Sequence, residues 1–338
     1  MSLPLPGGHM ELSSLGLGTY LGSTSDAADA AYTEAAQAFF KAGGTVFDTA
    51  ANYRGGRSER ALGAAFKGLS REDFFVSTKA GYIPMPEPDP DENPRAWFHR
   101  VLEGPGILSV DDLVDGCHAM TPRYLAHQLD LSLQALDLET LDLFHLHNPE
   151  QQLAHLGEEG FYTMIAKAFE ACEGFVATGK IRAYGVATWN GFRTPPGQPG
   201  HLSLARLLDA ATSTAGRDHH FRWIQLPLNL AMPEAFLAPT QMIDGAAMTP
   251  LAAAQASGLS VQTSASIMQA RILGQLPDGF AQALGLETPA QAALQFTRSC
   301  PGVTTALCGM GRVEHVAENV VVMAVPKLDP LALESLFG

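Results

Sequence analysis

Four titratable side chains lie at or just after short apolar runs of the kind that form β-strands. Asp48 ends one run and Tyr53 follows it, whereas Lys79 and His147 follow the next two runs. A nearby ammonium stabilises a phenolate, so we expect Lys79 to lower the pKa of Tyr53 from its usual value of about 10. We expect Asp48 to hold Lys79 in place. Tyr53 would then donate a proton to an oxygen that gains negative charge, and His147 would orient that oxygen.

This combination suits the reduction of a carbonyl group by hydride, because an alkoxide forms in that reaction and must be protonated. No side chain donates hydride, so a bound cofactor has to supply it. Each residue alone also has a structural explanation, since a strand-end Asp often caps a loop, a Tyr is often half-buried and a lone His is often structural. Four titratable groups from three successive strand ends favour the catalytic interpretation.

The elements that would position these residues repeat along the whole chain. Short β-rich runs alternate with alanine- and leucine-rich stretches of helical spacing, several of which stop at a glycine. Eight such units predict a (β/α)8 TIM barrel, whose strand ends meet at one face. An open doubly wound sheet is the alternative, but it would carry a G-x-G-x-x-G loop that is absent from the sequence. The predicted strands are 15–19, 45–48, 74–78, 141–145, 183–187, 223–227, 260–264 and 304–308.

Two stretches fall outside this repeat. Residues 82–122 include a proline- and acid-rich run, and residues 190–200 read NGFRTPPGQPG. Both follow predicted strands, so we expect them to be long loops at the C-terminal face of the barrel, as lids or as flexible excursions. Trp97, Phe98 and His99 in the first stretch are candidates for walls of a substrate pocket or for an anchor that packs the loop onto the barrel.

Composition limits the remaining choices. The chain has 338 residues, 46% of them apolar, with 35 acidic and 21 basic side chains and a formal charge of −14. That balance argues against nucleic acid or an anionic membrane as a partner and is typical of a soluble acidic protein. No apolar run has the roughly 18 to 20 residues of a membrane helix. Four widely spaced cysteines favour reduced thiols and a cytoplasmic location. We expect residues 1–9 to be a tag remnant or disordered and residues 10–338 to form one domain. The sequence predicts no particular oligomeric state.

Four segments resemble signature segments of the aldo-keto reductase superfamily in order and context. They read FDTAANYRGGRSERALG, FFVSTKAG, LDLFHLHNP and GKIRAYGVATWN, and the similarity extends from LGLGTYLG at the first strand to AEN near the end. The resemblance implies a (β/α)8 barrel that reduces aldehydes or ketones with NADPH, less often with NADH. It places the family's catalytic tetrad on Asp48, Tyr53, Lys79 and His147.

The resemblance also implies a cofactor site, with departures from the family pattern. Ala187 and Thr188 occupy the positions of a Ser-Asn pair that holds the nicotinamide amide, and Thr263 stands where an aromatic ring normally stacks on it. Arg312 could grip a 2′-phosphate. NADP is therefore favoured, with NAD as the alternative. The implied cofactor residues are Gly18, Thr19, Asp48, Ala187, Thr188, Gln225, Thr263, Ser264, Gly309, Arg312, Glu318 and Asn319.

Three other functions are compatible with parts of this pattern. His145 and His147 share one face of a strand, as metal ligands in barrel hydrolases do, but the later strand ends offer no further His or Asp. A non-catalytic subunit that senses NADP would bind the cofactor without turnover. A lyase or isomerase with tightly held NADP would act on a sugar-like substrate without consuming the cofactor.

Overall fold

Eight parallel strands close into a barrel, which confirms the predicted (β/α)8 architecture. The computed structural model describes residues 2–5, 8–85 and 93–337. The strands are buried along nearly their whole length, as expected for parallel strands that helices cover on the outside. Counting only barrel strands, they are β1 Leu15–Gly18, β2 Val46–Asp48, β3 Phe75–Ala80, β4 Leu141–His147, β5 Ile181–Ala187, β6 Phe221–Pro227, β7 Ser260–Ser264 and β8 Thr305–Gly309.

Five of the helices that follow these strands begin at residues whose side chains act as N-caps. The side chains of Ser25, Thr121, Ser203, Thr249 and Thr288 each accept a hydrogen bond from a backbone N–H in the first turn. In the described residues the helices are α1 Asp26–Lys41, α2 Arg57–Phe66, α3 Pro94–Phe98, α4 Pro122–Leu136, α5 Leu153–Ala177, α6 Leu204–Ala215, α7 Glu234–Leu237, α8 Pro250–Ala256, α9 Phe280–Ala283, α10 Pro289–Ser299, α11 Val313–Asn319 and α12 Pro330–Glu334. Among the helices described, none combines the length and the apolar character that crossing a membrane would require.

The order of strands around the barrel is β7-β8-β1-β2-β3-β4-β5-β6, and β6 pairs with β7 to close the ring. Asp48 on β2 is in register with Ser77 on β3, and His147 on β4 is in register with Ala187 on β5. The carboxyl ends of all eight strands therefore open on one face. Strands β3 and β7 stand four places apart in this ring and so face each other across the barrel.

The insertion between β3 and α4 has its own small hydrophobic cluster. Phe98 is buried in it together with Leu102 and Tyr124, and Trp97 packs against the same group. The insertion is thus anchored by these side chains. The proline- and acid-rich residues 86–92, which we predicted to be part of a loop, lie outside the described residues.

Two short antiparallel hairpins were not predicted. One pairs Gln241–Ile243 with Ala246–Met248, and the other pairs Ser2–Leu5 with Gly8–Glu11. Residues 1, 6 and 7 lie outside the described residues. The interpretation of residues 1–9 as a tag remnant and of residues 10–338 as one domain stays a prediction.

Candidate active site

A cavity of about 720 Å³ opens at the carboxyl ends of the strands. Its walls combine strand-end residues with aromatic side chains such as Tyr20, Tyr82 and Trp189. Most of the residues predicted from the sequence meet here, and those that line the cavity are Gly18, Thr19, Asp48, Tyr53, His147, Ala187, Thr188, Gln225, Ser264, Gly309, Glu318 and Asn319.

Lys79 lies beneath the cavity wall, where it is fully buried and paired with Asp48. Its Nζ donates to Asp48 Oδ2 at 2.6 Å and to the Thr49 carbonyl oxygen at 2.7 Å. Burial lowers the pKa of Lys79, and the neighbouring Asp48 carboxylate opposes that effect. The structure places Asp48 where we expected it, as the residue that holds the ammonium.

Tyr53 begins a 3-10 turn, Tyr53–Gly56, in the loop that connects β2 to α2. The next residue, Arg54, has a φ of 52°, a left-handed conformation that a non-glycine residue rarely adopts. Its buried guanidinium compensates for this by pairing with Asp29 and by donating to the Ser23 carbonyl oxygen at 2.8 Å. Arg54 therefore fixes the turn that aims Tyr53 into the cavity, a role that the sequence pattern did not reveal.

The predicted net lowering of the Tyr53 pKa is wrong. Burial raises the pKa of Tyr53 well above its ordinary value, and Asp48 and two neighbouring tyrosines, Tyr20 and Tyr82, raise it further. Lys79 Nζ lies 5.0 Å from the centre of the Tyr53 ring, but the Asp48 carboxylate beside it offsets its charge. Tyr53 is accordingly a neutral phenol at neutral pH, which is the protonation state that a proton donor requires.

His147 is a neutral imidazole at the end of β4. Burial lowers its pKa well below the usual value, and the neighbouring Lys79 adds to the effect. The ring meets Tyr53 edge-on, with 5.8 Å between ring centres, and Tyr82 at 5.1 Å. The His147 carbonyl oxygen is 2.8 Å from His118 Nε2. Tyr82 and His118 belong to the insertion after β3, so that segment contributes to the site.

Gln225 lines the cavity and also contacts Asp48. Its Nε2 donates to Asp48 Oδ1 at 3.0 Å and to Gln262 Oε1 at 3.0 Å, so both of its N–H groups are engaged. The Oε1 atom is what Gln225 can offer to a ligand. This arrangement suits an amide N–H of the ligand better than a carbonyl oxygen.

The remaining cofactor residues divide into two groups. Thr188 Oγ1 and Asn319 Oδ1 are buried without a hydrogen-bond partner, although both residues line the cavity. A ligand with polar groups would satisfy them. Thr263 and Arg312 do not line the cavity: Thr263 is fully buried in β7, and Arg312 is exposed before α11. Within the described residues, His315 is the only basic side chain in the cavity wall besides His147.

The predicted pocket walls in the insertion are also corrected. Trp97, Phe98 and His99 are absent from the residues that line the cavity. Trp97 and Phe98 serve the alternative role of anchoring the insertion, whereas His99 is exposed and lies 2.9 Å from Glu103. His145 points into the barrel interior, with its Nε2 3.1 Å from Gln262 Oε1. No group of three or more His, Cys, Asp or Glu residues that could hold a metal is found in the described part of the chain.

Comparisons with known proteins agree with this geometry. A model of the aldo/keto reductase family matches residues 14–193. The D-threo-aldose 1-dehydrogenase of a Pseudomonas species is 31% identical over 152 residues, which are 45% of this chain and 42% of that protein. The Schizosaccharomyces pombe protein named aldo-keto reductase yakc, NADP(+), is 30% identical over 175 residues, 51% of this chain and 40% of that protein. These alignments therefore span less than half of either relative.

The fold is also that of solved structures. A Klebsiella pneumoniae aldo/keto reductase in complex with NADP and acetate superposes with a TM-score of 0.62 at 23% identity, covering 96% of this chain and 90% of that one. At this level of identity the likeness establishes the barrel and not the activity.

Proposed function

The chain belongs to the aldo/keto reductase family, and we propose that it reduces the carbonyl group of an aldehyde or ketone to an alcohol with NADPH. One observation carries the proposal: Tyr53 lines the cavity, and the buried Lys79, which is paired with Asp48, places its Nζ 5.0 Å from the centre of the Tyr53 ring. When bound, the cofactor supplies the hydride. The residues of the chain provide the proton and the surroundings in which negative charge develops.

Tyr53 donates the proton. Its hydroxyl proton passes to the carbonyl oxygen as that oxygen becomes an alkoxide, and the phenolate that results lies near the Lys79 ammonium. Positive charge close to the phenolate stabilises the product of proton transfer more than the reactant, which is what lowers a barrier. Because His147 is neutral, it orients the same oxygen by a hydrogen bond and leaves the proton transfer to Tyr53.

The cavity fits a nicotinamide dinucleotide. Gln225 Oε1 and the unpartnered Thr188 Oγ1 can bind the carboxamide, whereas Glu318 and the unpartnered Asn319 Oδ1 can bind the adenosine end. Arg312 stays our candidate for a 2′-phosphate contact, although its side chain would have to turn toward the cavity. NADH remains the alternative donor, and the ratio of kcat/KM for the two cofactors decides between them.

The cavity walls favour a substrate with an apolar body. Tyr20, Leu21, Tyr82 and Trp189 line the cavity together with Tyr53, and such walls desolvate hydrocarbon or aromatic groups well. We therefore propose small aldehydes or ketones with an aromatic or aliphatic substituent as substrates. We also propose a cytoplasmic location, which the four free cysteines support.

A panel of aldehydes and ketones tests the proposal by the loss of NADPH absorbance. We expect Tyr53→Phe to lower kcat about 100- to 10,000-fold, the usual contribution of a general acid, and to leave the Kd for NADPH within about threefold. Phenylalanine keeps the ring packing against Tyr20 and His147.

Tyr184→Phe is the matched control. Tyr184 is a fully buried tyrosine that does not line the cavity, and its hydroxyl donates to Glu173 at 2.9 Å, so kcat should not change. Retained turnover in Tyr53→Phe would remove Tyr53 as the acid. Tight NADPH binding with no turnover of any carbonyl would instead indicate a non-catalytic subunit, and product formation with only catalytic amounts of NADP would indicate a lyase or isomerase.

A further inference from the structure

Four buried polar side chains form a hydrogen-bonded cluster with Asp48 inside the barrel. They come from four strands: Ser77 on β3, His145 on β4, Gln225 on β6 and Gln262 on β7. The interior of such a barrel is usually filled with branched apolar residues. Burying polar groups costs free energy unless they are hydrogen-bonded, so this cluster requires an explanation.

The cluster connects Gln262 to Asp48 by two routes. Gln262 Nε2 donates across the barrel to Ser77 Oγ at 3.2 Å, and Ser77 Oγ donates to Asp48 Oδ1 at 2.7 Å. Gln225 Nε2 bridges the same two residues, since it donates to both Gln262 Oε1 and Asp48 Oδ1 at 3.0 Å. Two hydrogen bonds therefore converge on Oδ1 of Asp48, and Oδ2 is left for Lys79.

The donor in each of these hydrogen bonds can be assigned by starting from the Asp48 carboxylate. An ionised carboxylate only accepts hydrogen bonds, so Ser77 and the amide nitrogen of Gln225 must both donate to Asp48. The second N–H of Gln225 then requires the amide oxygen of Gln262, which leaves the Gln262 nitrogen to face Ser77. If the Gln262 amide were flipped, its N–H groups would face the N–H group of Gln225, and no hydrogen bond could form between them. The network therefore has one consistent arrangement.

His145 completes that arrangement. Gln262 Oε1 is an acceptor, so His145 must donate to it from Nε2, across 3.1 Å. The imidazole has room because residue 185 is a glycine: a Cβ there would lie 2.6 Å from His145 Nδ1. With two donors on its oxygen and one acceptor at its nitrogen, the Gln262 amide is held in one orientation.

We propose that Gln262, held by His145, is a positioning residue that orients the Asp48 carboxylate through Ser77 and Gln225, so that Oδ2 faces Lys79. The inference rests on the proposed function, in which Lys79 stabilises the phenolate of Tyr53. Asp48 Oδ2 and the Thr49 carbonyl together fix the position of Nζ. If Asp48 rotates, Nζ moves with it, and a displacement of about 1 Å in a catalytic group can cost on the order of 100-fold in rate.

Gln262→Met tests the proposal, because methionine keeps the length of the side chain and removes its hydrogen bonds. We expect kcat to fall about 10- to 100-fold, while KM for the carbonyl and the Kd for NADPH stay within about threefold. Gln241→Met is the matched control. Gln241 is equally buried and donates to the carbonyl oxygens of Phe192 and Leu202, but it does not contact the network. Its kcat should stay within about twofold of wild type.

A double-mutant cycle identifies the route. If Gln262 acts through Ser77, the combined loss of kcat in Gln262→Met with Ser77→Ala should be clearly smaller than the product of the single losses. Losses that multiply, or an unchanged kcat in folded Gln262→Met, would overturn the proposal. If Gln262→Met does not fold, Gln262→Asn replaces it, because the shorter amide cannot span the distance to Ser77. A loss of kcat with KM retained then supports the proposal, and an unchanged kcat overturns it.

A structure provides a readout that does not depend on turnover. In a crystal structure of the ligand-free Gln262→Met protein, or of Gln262→Asn if Gln262→Met does not fold, we expect the Asp48 carboxylate to rotate and its 2.6 Å contact with Lys79 to lengthen. An unchanged contact would overturn the proposal. Because this measurement stands even if wild type reduces no carbonyl, failure of the positioning role can be told apart from failure of the proposed function.

Discussion

Replacing His145 by glutamine should make the protein less sensitive to acid. The imidazole is fully buried, and burial lowers its pKa from 6.5 to about 4, with the nearby Lys79 as the next contribution. Between these two pH values the unfolded chain binds a proton at His145 and the folded chain does not. Proton binding therefore stabilises the unfolded state as the pH falls from 6.5 toward 4, and the unfolding free energy decreases.

The size of the effect follows from the two pKa values. The difference from 6.5 to about 4 is roughly 2.5 pH units, and each unit corresponds to about 1.4 kcal/mol, so the full penalty in unfolding free energy is roughly 3–4 kcal/mol. Of this, about 2 kcal/mol is lost between pH 7 and 5. His118 and His147 also have lowered pKa values, so wild type should lose more than His145 alone explains.

Urea unfolding at pH 7 and at pH 5 measures the effect. The loss of unfolding free energy between the two pH values should be about 2 kcal/mol smaller in His145→Gln than in wild type. Gln241→Met, which alters a buried residue but removes no titratable group, should keep the wild-type pH dependence. An equal loss of unfolding free energy in His145→Gln and wild type would show that His145 has the same pKa in the folded and unfolded states. That result would refute the claim that burial of His145 makes the protein sensitive to acid.

Three further predictions concern other parts of the site and its support. Lys79→Met leaves Asp48 buried without its ion partner and should lower the unfolding free energy by about 3–5 kcal/mol in urea; adding Asp48→Asn should restore part of it. Asp142→Asn, at the start of β4, weakens the ion pairs with Arg71 and Arg182. It should lower the unfolding free energy measured in urea by about 1.5–3 kcal/mol, while kcat stays at the wild-type level. Tyr82→Ala should raise KM for carbonyl substrates and leave the Kd for NADPH unchanged; an unchanged KM would remove Tyr82 from the substrate wall.

The barrel could be predicted because its strands are buried on both faces. Most such strands appear in the sequence as runs rich in apolar residues, and each of the eight predicted runs overlaps an observed strand closely. The more polar run 260–264, SVQTS, also matches Ser260–Ser264 residue for residue. Once the strand ends were known, Asp48, Tyr53 and His147 had to open onto one face. Helix caps, in contrast, depend on local chemistry, and they delimit helices such as Pro122–Leu136 and Pro289–Ser299.

Contacts between residues distant in sequence could not be predicted. Gln262 and Ser77 are 185 positions apart, and only the closure of the barrel makes them neighbours. The same limit explains the error about Tyr53: the sequence shows that a lysine is near, but not that burial outweighs its charge or that Asp48 offsets it. Tyr82 was hidden for another reason, because it begins an irregular insertion in which side-chain spacing carries no periodic signal.

The raised pKa of Tyr53 makes the placement of Lys79 more important. A phenol that is strongly disfavoured as an anion gives up its proton only if the anion is stabilised at the moment of transfer. The nearby cation that can do so is buried, and its own charged form is costly, so Asp48 must be oriented to keep it charged. The oxygen of Asp48 that faces away from Lys79 is held by Ser77 and Gln225. Proton donation at the cavity therefore depends on hydrogen bonds that reach across the barrel interior.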